Sequence, residues 1–376
     1  MPLEQRVRTG RLTAVGAGCL IAAATQVPAQ QPPPAPVLSL SAAVATSDVP
    51  FTLTAALTAS PGSASGRSSS RSSGTGTSSG TSPGAPSGTA LKGRTIIIQV
   101  RARDGWRTIG TPVTDARGAA VVRTTTWWGD TYRAVFLGGD RLARATSAAR
   151  EVRAAPASPP VARPGGAPAP ATERPSAPRA VGPGANAVVR ALPDAVWAGM
   201  QGRTWHPGCV GRNQLRYVQV NYFGFDGYRH RGELVVRSDV AAQAAAAFGE
   251  LYAARYPIRL MVLPDRFGRN PRGPGANDYA SMAADNTSGF NCRYVVAKES
   301  GHVPSPHAGG RAIDVNPWEN PYSSPGAPGA SRWYLGHRPA SPPVLRAGDA
   351  ATRALTRRGW SWGGSWSTKD YQHFER

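Results

Sequence analysis

Two stretches of this chain have nothing to pack with, and they dictate how the rest can fold. Residues 59–90 are Ser, Gly, Thr and Pro almost throughout, and residues 154–187 are dominated by Pro, Ala and Gly. Neither carries enough apolar surface to offset the entropy lost on ordering. The first reads as a disordered insertion. The second reads as a linker which, extended as polyproline II at about 3.1 Å per residue, would reach roughly 100 Å. The 376-residue chain therefore divides into residues 37–153, interrupted by the insertion, and residues 188–376, each of a size suited to one domain.

The N-terminus sets the compartment. Arg6, Arg8 and Arg11 precede a mostly apolar run from Leu12 to Thr25, and Val27-Pro28-Ala29 offers a small-residue cleavage site. Residues 1–29 read as a secretory signal peptide. Cys19 lies inside it, but Gly16 stands where lipid attachment wants a larger apolar residue, so lipid anchoring is not expected. No other apolar run reaches the roughly 18 residues of a transmembrane helix. With Cys19 removed, Cys209 and Cys292 remain of the three cysteines. An even pair in an oxidising compartment predicts a disulfide.

The formal net charge is +21, and of the 43 basic residues only Lys92, Lys298 and Lys369 are lysines. Such an excess favours a polyanionic neighbour: nucleic acid, a membrane surface or the anionic polymers of a cell wall. The charge is scattered and no basic run with interleaved aromatics marks a nucleic-acid groove, so nucleic acid is not expected as a partner. The chain is expected to be a monomer, secreted or associated with the wall.

In the first unit, strand patterns appear at Val37–Ser41, Pro50–Ala55, Thr95–Val100, Trp106–Ile109, Ala119–Thr126 and Tyr132–Leu137, with turns at Asp104-Gly105 and Asp115–Gly118. Short strands at this spacing predict an all-β antiparallel sandwich. The run resembles a bacterial immunoglobulin-like or fibronectin-like module. No titratable cluster appears in it, so a spacer or adhesion role is expected.

The second unit mixes both patterns. Leu215–Tyr222 and Gly232–Val236 read as a hairpin around Phe225-Asp226-Gly227, and Ile258–Leu263 as a further strand. The Ala-rich segment Val240–Tyr252 and residues 345–358 read as helices, and a last hairpin is expected around Trp360–His373. The class is α+β with a small antiparallel sheet.

Chemistry concentrates in two places, Ser305-Pro306-His307-Ala308-Gly309-Gly310-Arg311-Ala312-Ile313-Asp314 and the C-terminal Asp370-Tyr371-Gln372-His373-Phe374-Glu375. His307, Asp314 and His373 make a ligand set that leaves one tetrahedral position open on zinc, as catalytic sites require. Gly309-Gly310 lets the chain turn between the first two, and Ala312–Val315 looks like a strand start with Ile313 and Val315 on the core face. Asp370 stands three residues before His373, a spacing that would put the two on opposite faces of a regular strand. If both serve one site, the chain must still be turning there. The expected role of Asp370 is general base, taking a proton from a zinc-activated water and passing it to the leaving amine. Arg293 is the candidate cation beside the scissile carbonyl. His206, His230, His302 and His337 read as ordinary surface or core residues. No His-Glu-x-x-His or Ser-x-x-Lys occurs, and Gly-x-Ser-x-Gly falls only within the Ser/Gly tract, so the usual motifs of rival peptide-cleaving chemistries are missing from the two folded units.

Taken together, Ser305-x-His307-x-x-Gly310-x-Ala312-x-Asp314 followed by Asp370-x-x-His373 resembles the M15 family of zinc peptidases. The segments Ser281–Ser288, Phe290–Arg293, Asp314–Pro317, Asn320–Tyr322 and Trp362–Gly364 resemble its VanY-like actinobacterial branch. The likeness spans residues 195–376. It implies the D-alanyl-D-alanine peptidase fold shared with a Hedgehog signalling domain, and a Zn2+ held by His307, Asp314 and His373. It implies Asp370 as base, Arg293 near the substrate carbonyl and Ser305 near a substrate carboxylate. The implied substrates are the stem peptides of peptidoglycan, cut by D-alanyl-D-alanine carboxypeptidase action or, as the alternative, by L-alanyl-D-glutamate endopeptidase action. A non-catalytic, zinc-stabilised wall-binding protein is the reading from another class, because fold and zinc alone do not make an enzyme.

Overall fold

The computed structural model describes residues 32–60, 88–170, 174–296, 298–323 and 327–376. The expected signal peptide with Cys19, and all but the edges of the Ser/Gly tract, lie outside the described residues.

Among the described residues, the first unit contains the strands β1 (Val37–Ala42), β2 (Ala45–Thr46), β3 (Phe51–Thr58), β4 (Ile97–Ala102), β5 (Gly105–Gly110), β6 (Ala119–Thr124), β7 (Gly129–Phe136), β8 (Ala145–Thr146) and β9 (Arg150–Ala155). One sheet runs β1-β3-β6 and the other β2-β9-β7-β4-β5, with β8 added on β7. Strand β3 shows the cause. Phe51, Leu53, Ala55 and Leu57 alternate inward and meet Ile98, Val100, Tyr132 and Phe136 of the second sheet in one apolar core. Thr58 bridges Ala90, so the two edges of the Ser/Gly tract are held side by side.

The second unit is mixed, with small sheets and short helices, compatible with α+β. Its first sheet is β10 (Val188–Arg190), β11 (Leu215–Phe223) and β12 (Arg229–Arg237), all antiparallel. Helix α1 (Asp194–Met200) follows β10. Helix α2 (Ala241–Ala253) lies on β11 and packs against a later helix, α5 (Ala350–Thr356). Between them come α3 (Asp278–Ala283), strand β13 (Ala312–Asp314) and α4 (Trp333–Gly336). A second small sheet has the order β13-β15-β14, from β14 (Ser361–Trp362) and β15 (His373–Glu375). Its Ile313 and Phe374 enter the same core as Val218, Val236, Phe248 and Leu355. Helix α5 starts later than residue 345 because the Asp349 side chain caps it, accepting from Thr352 N at 2.7 Å.

Two expectations need correction. Residues 258–263 are not a strand. Leu260 makes only an isolated bridge to Asn286, and the Asn286 side chain takes the place of a partner strand, accepting from Val262 N at 2.9 Å and donating to Val262 O at 3.0 Å. The segment 154–187 is not a free spacer either. Ala154 and Ala155 finish β9, and described residues beyond them contact the second unit. Ser158 N donates to Gly227 O, Val161 N to Phe225 O and Arg231 N to Pro178 O, at 2.8–3.0 Å. Ala167 is buried with Trp318, Tyr334 and Val344. Extended backbone has few internal hydrogen bonds, and here several of those groups bond to the β11–β12 hairpin. The sandwich touches the same turn. Asp48 accepts from Arg179 at 2.6 Å and from Arg229 at 3.2 Å, Trp127 Nε1 donates to Arg229 O at 2.7 Å, and Trp128 stacks on Tyr228.

The expected disulfide is present. Cys209 and Cys292 are bonded with Cα atoms 6.1 Å apart, within a second apolar cluster that includes Leu215, Tyr217 and Phe290.

Candidate metal centre

His307 sits in a 3-10 turn, Pro306–Gly309. Ser305 caps that turn, its Oγ accepting from His307 N at 3.3 Å. Gly310 ends it in the left-handed region at φ 71°, where an added Cβ would lie 3.0 Å from Arg237 N. The chain then enters β13, whose Asp314 lies directly opposite His373 of β15 in antiparallel register. Residues opposed in this way have neighbouring side chains, so strand pairing itself joins two of the ligands. His307 arrives from the turn above.

Three ligating atoms converge. His307 Nε2 is 3.3 Å from His373 Nδ1 and 3.2 Å from an Asp314 oxygen, and His373 Nδ1 is 3.0 Å from the other Asp314 oxygen. A tetrahedral ion with bonds of about 2.0–2.1 Å spaces its ligands about 3.3–3.4 Å apart. The outer nitrogens are already occupied. His307 Nδ1 is 2.7 Å from Gly289 O, and His373 Nε2 is 3.2 Å from a Glu375 oxygen. Each ring is thereby oriented with its other nitrogen toward the common point, the arrangement of ligand and supporting shell found around bound metals. The Gln372 amide donates to Asp314 at 3.2 Å. The residues present fit a zinc ion.

The electrostatics agree. Burial would raise the Asp314 carboxyl, but the imidazoles of His307 and His373 outweigh it and hold the group well below the usual carboxylate range. Burial opposes a charge on His373, yet its contacts with Asp314 and Glu375 push it up to about 10. The cluster therefore favours positive charge at its centre, a proton or a metal.

Asp370 lines the same cleft of 220 Å³ as the three ligands, Arg293 and Ser305. The chain bends at Tyr371 and Gln372, as the three-residue spacing required. Its backbone N donates to Gly363 O at 3.1 Å, and a Cβ on Gly363 would lie 2.5 Å from Asp370 O, so a glycine is needed there. The carboxylate Oδ1 is shielded from solvent and has no hydrogen-bond partner. Desolvation pushes this carboxyl up to about 7, against the pull of His373 and Arg293.

Arg293 is buried, and its Nη2 lies 2.8 Å from an Asp278 oxygen while Nη1 donates to Tyr294 O at 3.0 Å. The Asp278 contact is an ion pair without hydrogen-bond alignment. Ser305 N donates to Arg293 O at 3.0 Å. With its Oγ accepting from the turn, the Ser305 O–H remains a donor for a group in the cleft. Sequence reasoning missed Asp278, Gln372 and Glu375. Glu375 had a signal: two residues beyond His373 in a strand, it shares that residue's face. Asp278 had none, since it sits fifteen residues from Arg293 in another element.

Among curated proteins, none matches this chain. Residues 298–376, which contain the three ligands and Asp370 but not Arg293, match the M15 peptidase family model described as D-alanyl-D-alanine carboxypeptidase.

Proposed function

We propose that the chain is a secreted zinc-dependent peptidase that hydrolyses D-amino-acid-containing peptide bonds of peptidoglycan, with the terminal D-Ala-D-Ala bond of the stem peptide as its preferred target. The observation that carries this reading is the convergence of His307 Nε2, Asp314 and His373 Nδ1 beside the Asp370 carboxylate, whose Oδ1 has no hydrogen-bond partner, inside the region similar to that family.

His307, Asp314 and His373 would hold the zinc. When bound, zinc supplies Lewis acidity, polarising a carbonyl and acidifying a water. Asp370 accepts the proton of the attacking water at its carboxylate and returns it to the leaving amine. Its raised affinity for a proton suits both halves of that task. Arg293 adds positive charge where the carbonyl oxygen becomes negative, and Asp278 holds the guanidinium in place. The Ser305 O–H orients a polar group of the substrate. The sandwich, of immunoglobulin-like type in this reading, and the basic surface serve contact with anionic wall polymers.

One observation favours the endopeptidase alternative. The cleft's guanidinium, Arg293, already faces Asp278, so a free terminal carboxylate would compete with that acid for it. Incubation with stem pentapeptide and mass spectrometry of the products separates the readings. Release of one D-Ala supports the carboxypeptidase, and a cut within the stem supports the endopeptidase. An intact pentapeptide after incubation with zinc-loaded protein overturns the peptidase reading.

A further inference from the structure

Two tryptophans precede Asp370 in the chain, and their surroundings differ. Trp362 is buried, and its Nε1 donates to Tyr371 O at 2.9 Å. Trp366 is half-buried, and its indole N–H has no partner among the described residues. Its ring stands instead against a candidate metal ligand, centred 5.5 Å from the His373 imidazole with the planes at 53°, and it lines the 220 Å³ cleft. We propose that Trp366 sets the size of the residue released on cleavage and restricts it to a small side chain such as that of alanine, an assignment that rests on the peptidase reading.

The backbone fixes this wall on the side of the base. Trp366 N and Asp370 N both donate to Gly363 O, each at 3.1 Å. Ser365 Oγ, donating to Trp362 O at 2.7 Å, braces the same turn. In the proposed reaction Asp370 returns a proton to the leaving amine, so the residue that carries this amine sits beside Asp370. Trp366 hangs from the same carbonyl and is the largest side chain lining the cleft.

The other walls suit a small apolar group. Met282, Val295 and Val296 add apolar surface. The volume lies below the range of about 300–1,000 Å³ of sites that enclose a whole drug-sized ligand. An apolar pocket that must admit one methylene more or less discriminates by about 10–200-fold. A rigid indole at its edge is the means of that discrimination.

Stem pentapeptides ending in D-Ala, D-Leu or D-Phe test the proposal. Wild type should release D-Ala with kcat/KM at least about tenfold above that for D-Leu, and D-Phe should be poorer still. Trp366→Ala should erase most of this preference, and Trp366→Phe, with a smaller ring, part of it. Both variants should keep their zinc, because Trp366 supplies no ligand. D-Leu in place of the D-Ala that precedes the bond should be discriminated equally by wild type and variants. Titration of zinc-loaded Asp370→Asn protein, which binds peptide without cleaving it, reads the same size preference as Kd. No hydrolysis of any peptide by wild type overturns the peptidase reading, and this proposal with it. Hydrolysis without a size preference, a preference undiminished in the zinc-holding variants, or a cut within the stem that releases a larger residue overturns the proposal alone.

Discussion

Glu375 Oε2 lies 3.2 Å from His373 Nε2, while His373 Nδ1 faces His307 and Asp314 in the candidate ligand cluster. The contact holds the Glu375 carboxyl below its usual range. A negative carboxylate fixes the Nε2–H tautomer and leaves Nδ1 unprotonated for a ligand bond. Glu375→Ala is expected to weaken zinc binding about 10–100-fold, with Glu375→Gln losing less. Competition with a chromophoric chelator measures this directly. Unchanged zinc affinity in Glu375→Ala would show that the ring is oriented without it.

Asp370 is the base in the proposed reaction and makes no ligand bond. Asp370→Ala should therefore keep the fold and bind one zinc, while kcat falls by about 10²–10⁴, the usual worth of a positioned acid–base group. Metal content and muropeptide turnover, measured on the same preparation, check it. Normal hydrolysis by this variant sinks the mechanism.

The pH dependence has a definite sign. The folded-state pKa of Asp370 is raised to about 7 by burial, above the unfolded value of about 3.9. Its charged form is thus disfavoured in the fold, and in metal-free protein this group removes stability as pH rises from about 4 through 7. Asp370→Asn should flatten that loss, with wild type and variant alike below pH 4. Thermal denaturation in chelator across pH 4–8 reads it. A base must also be deprotonated to act, so activity should fall on the acid side, with a midpoint below 7 because a bound cation lowers the carboxyl further.

The C-terminus is structural as well as chemical. Phe374 is fully buried, and β15 is the central strand of its sheet. Deleting residues 373–376 should abolish both zinc binding and cooperative unfolding of the second unit. Phe374→Ala alone should cost about 3–5 kcal/mol, measured by denaturant melts.

Chelation should remove activity and added Zn2+ should restore it. Full activity in excess chelator, with metal loss confirmed, excludes the zinc assignment.

Much of this was legible before any coordinates. Alternation in Pro50–Ala55 and the Ala-rich run Val240–Tyr252 marked real elements, β3 and α2, because period and propensity are local properties. His307, Asp314 and His373 could be grouped from type and spacing, since a ligand set is a chemical statement about residues. The two cysteines predicted their bond by parity. Other features depended on neighbours far apart in the chain. Composition made residues 154–187 look free, but their backbone groups meet the β11–β12 turn and Ala167 meets Trp318, contacts that no local pattern encodes. Residues 258–263 had the pattern of a strand and lost that role to the side chain of Asn286. The pairing of Arg293 with Asp278 arises only when α3 packs beside the extended segment at Cys292. The sequence by itself determined which groups could hold a metal and move a proton. Tertiary structure decided their orientation, burial and charge, because desolvation and ring direction follow from what packs around a group.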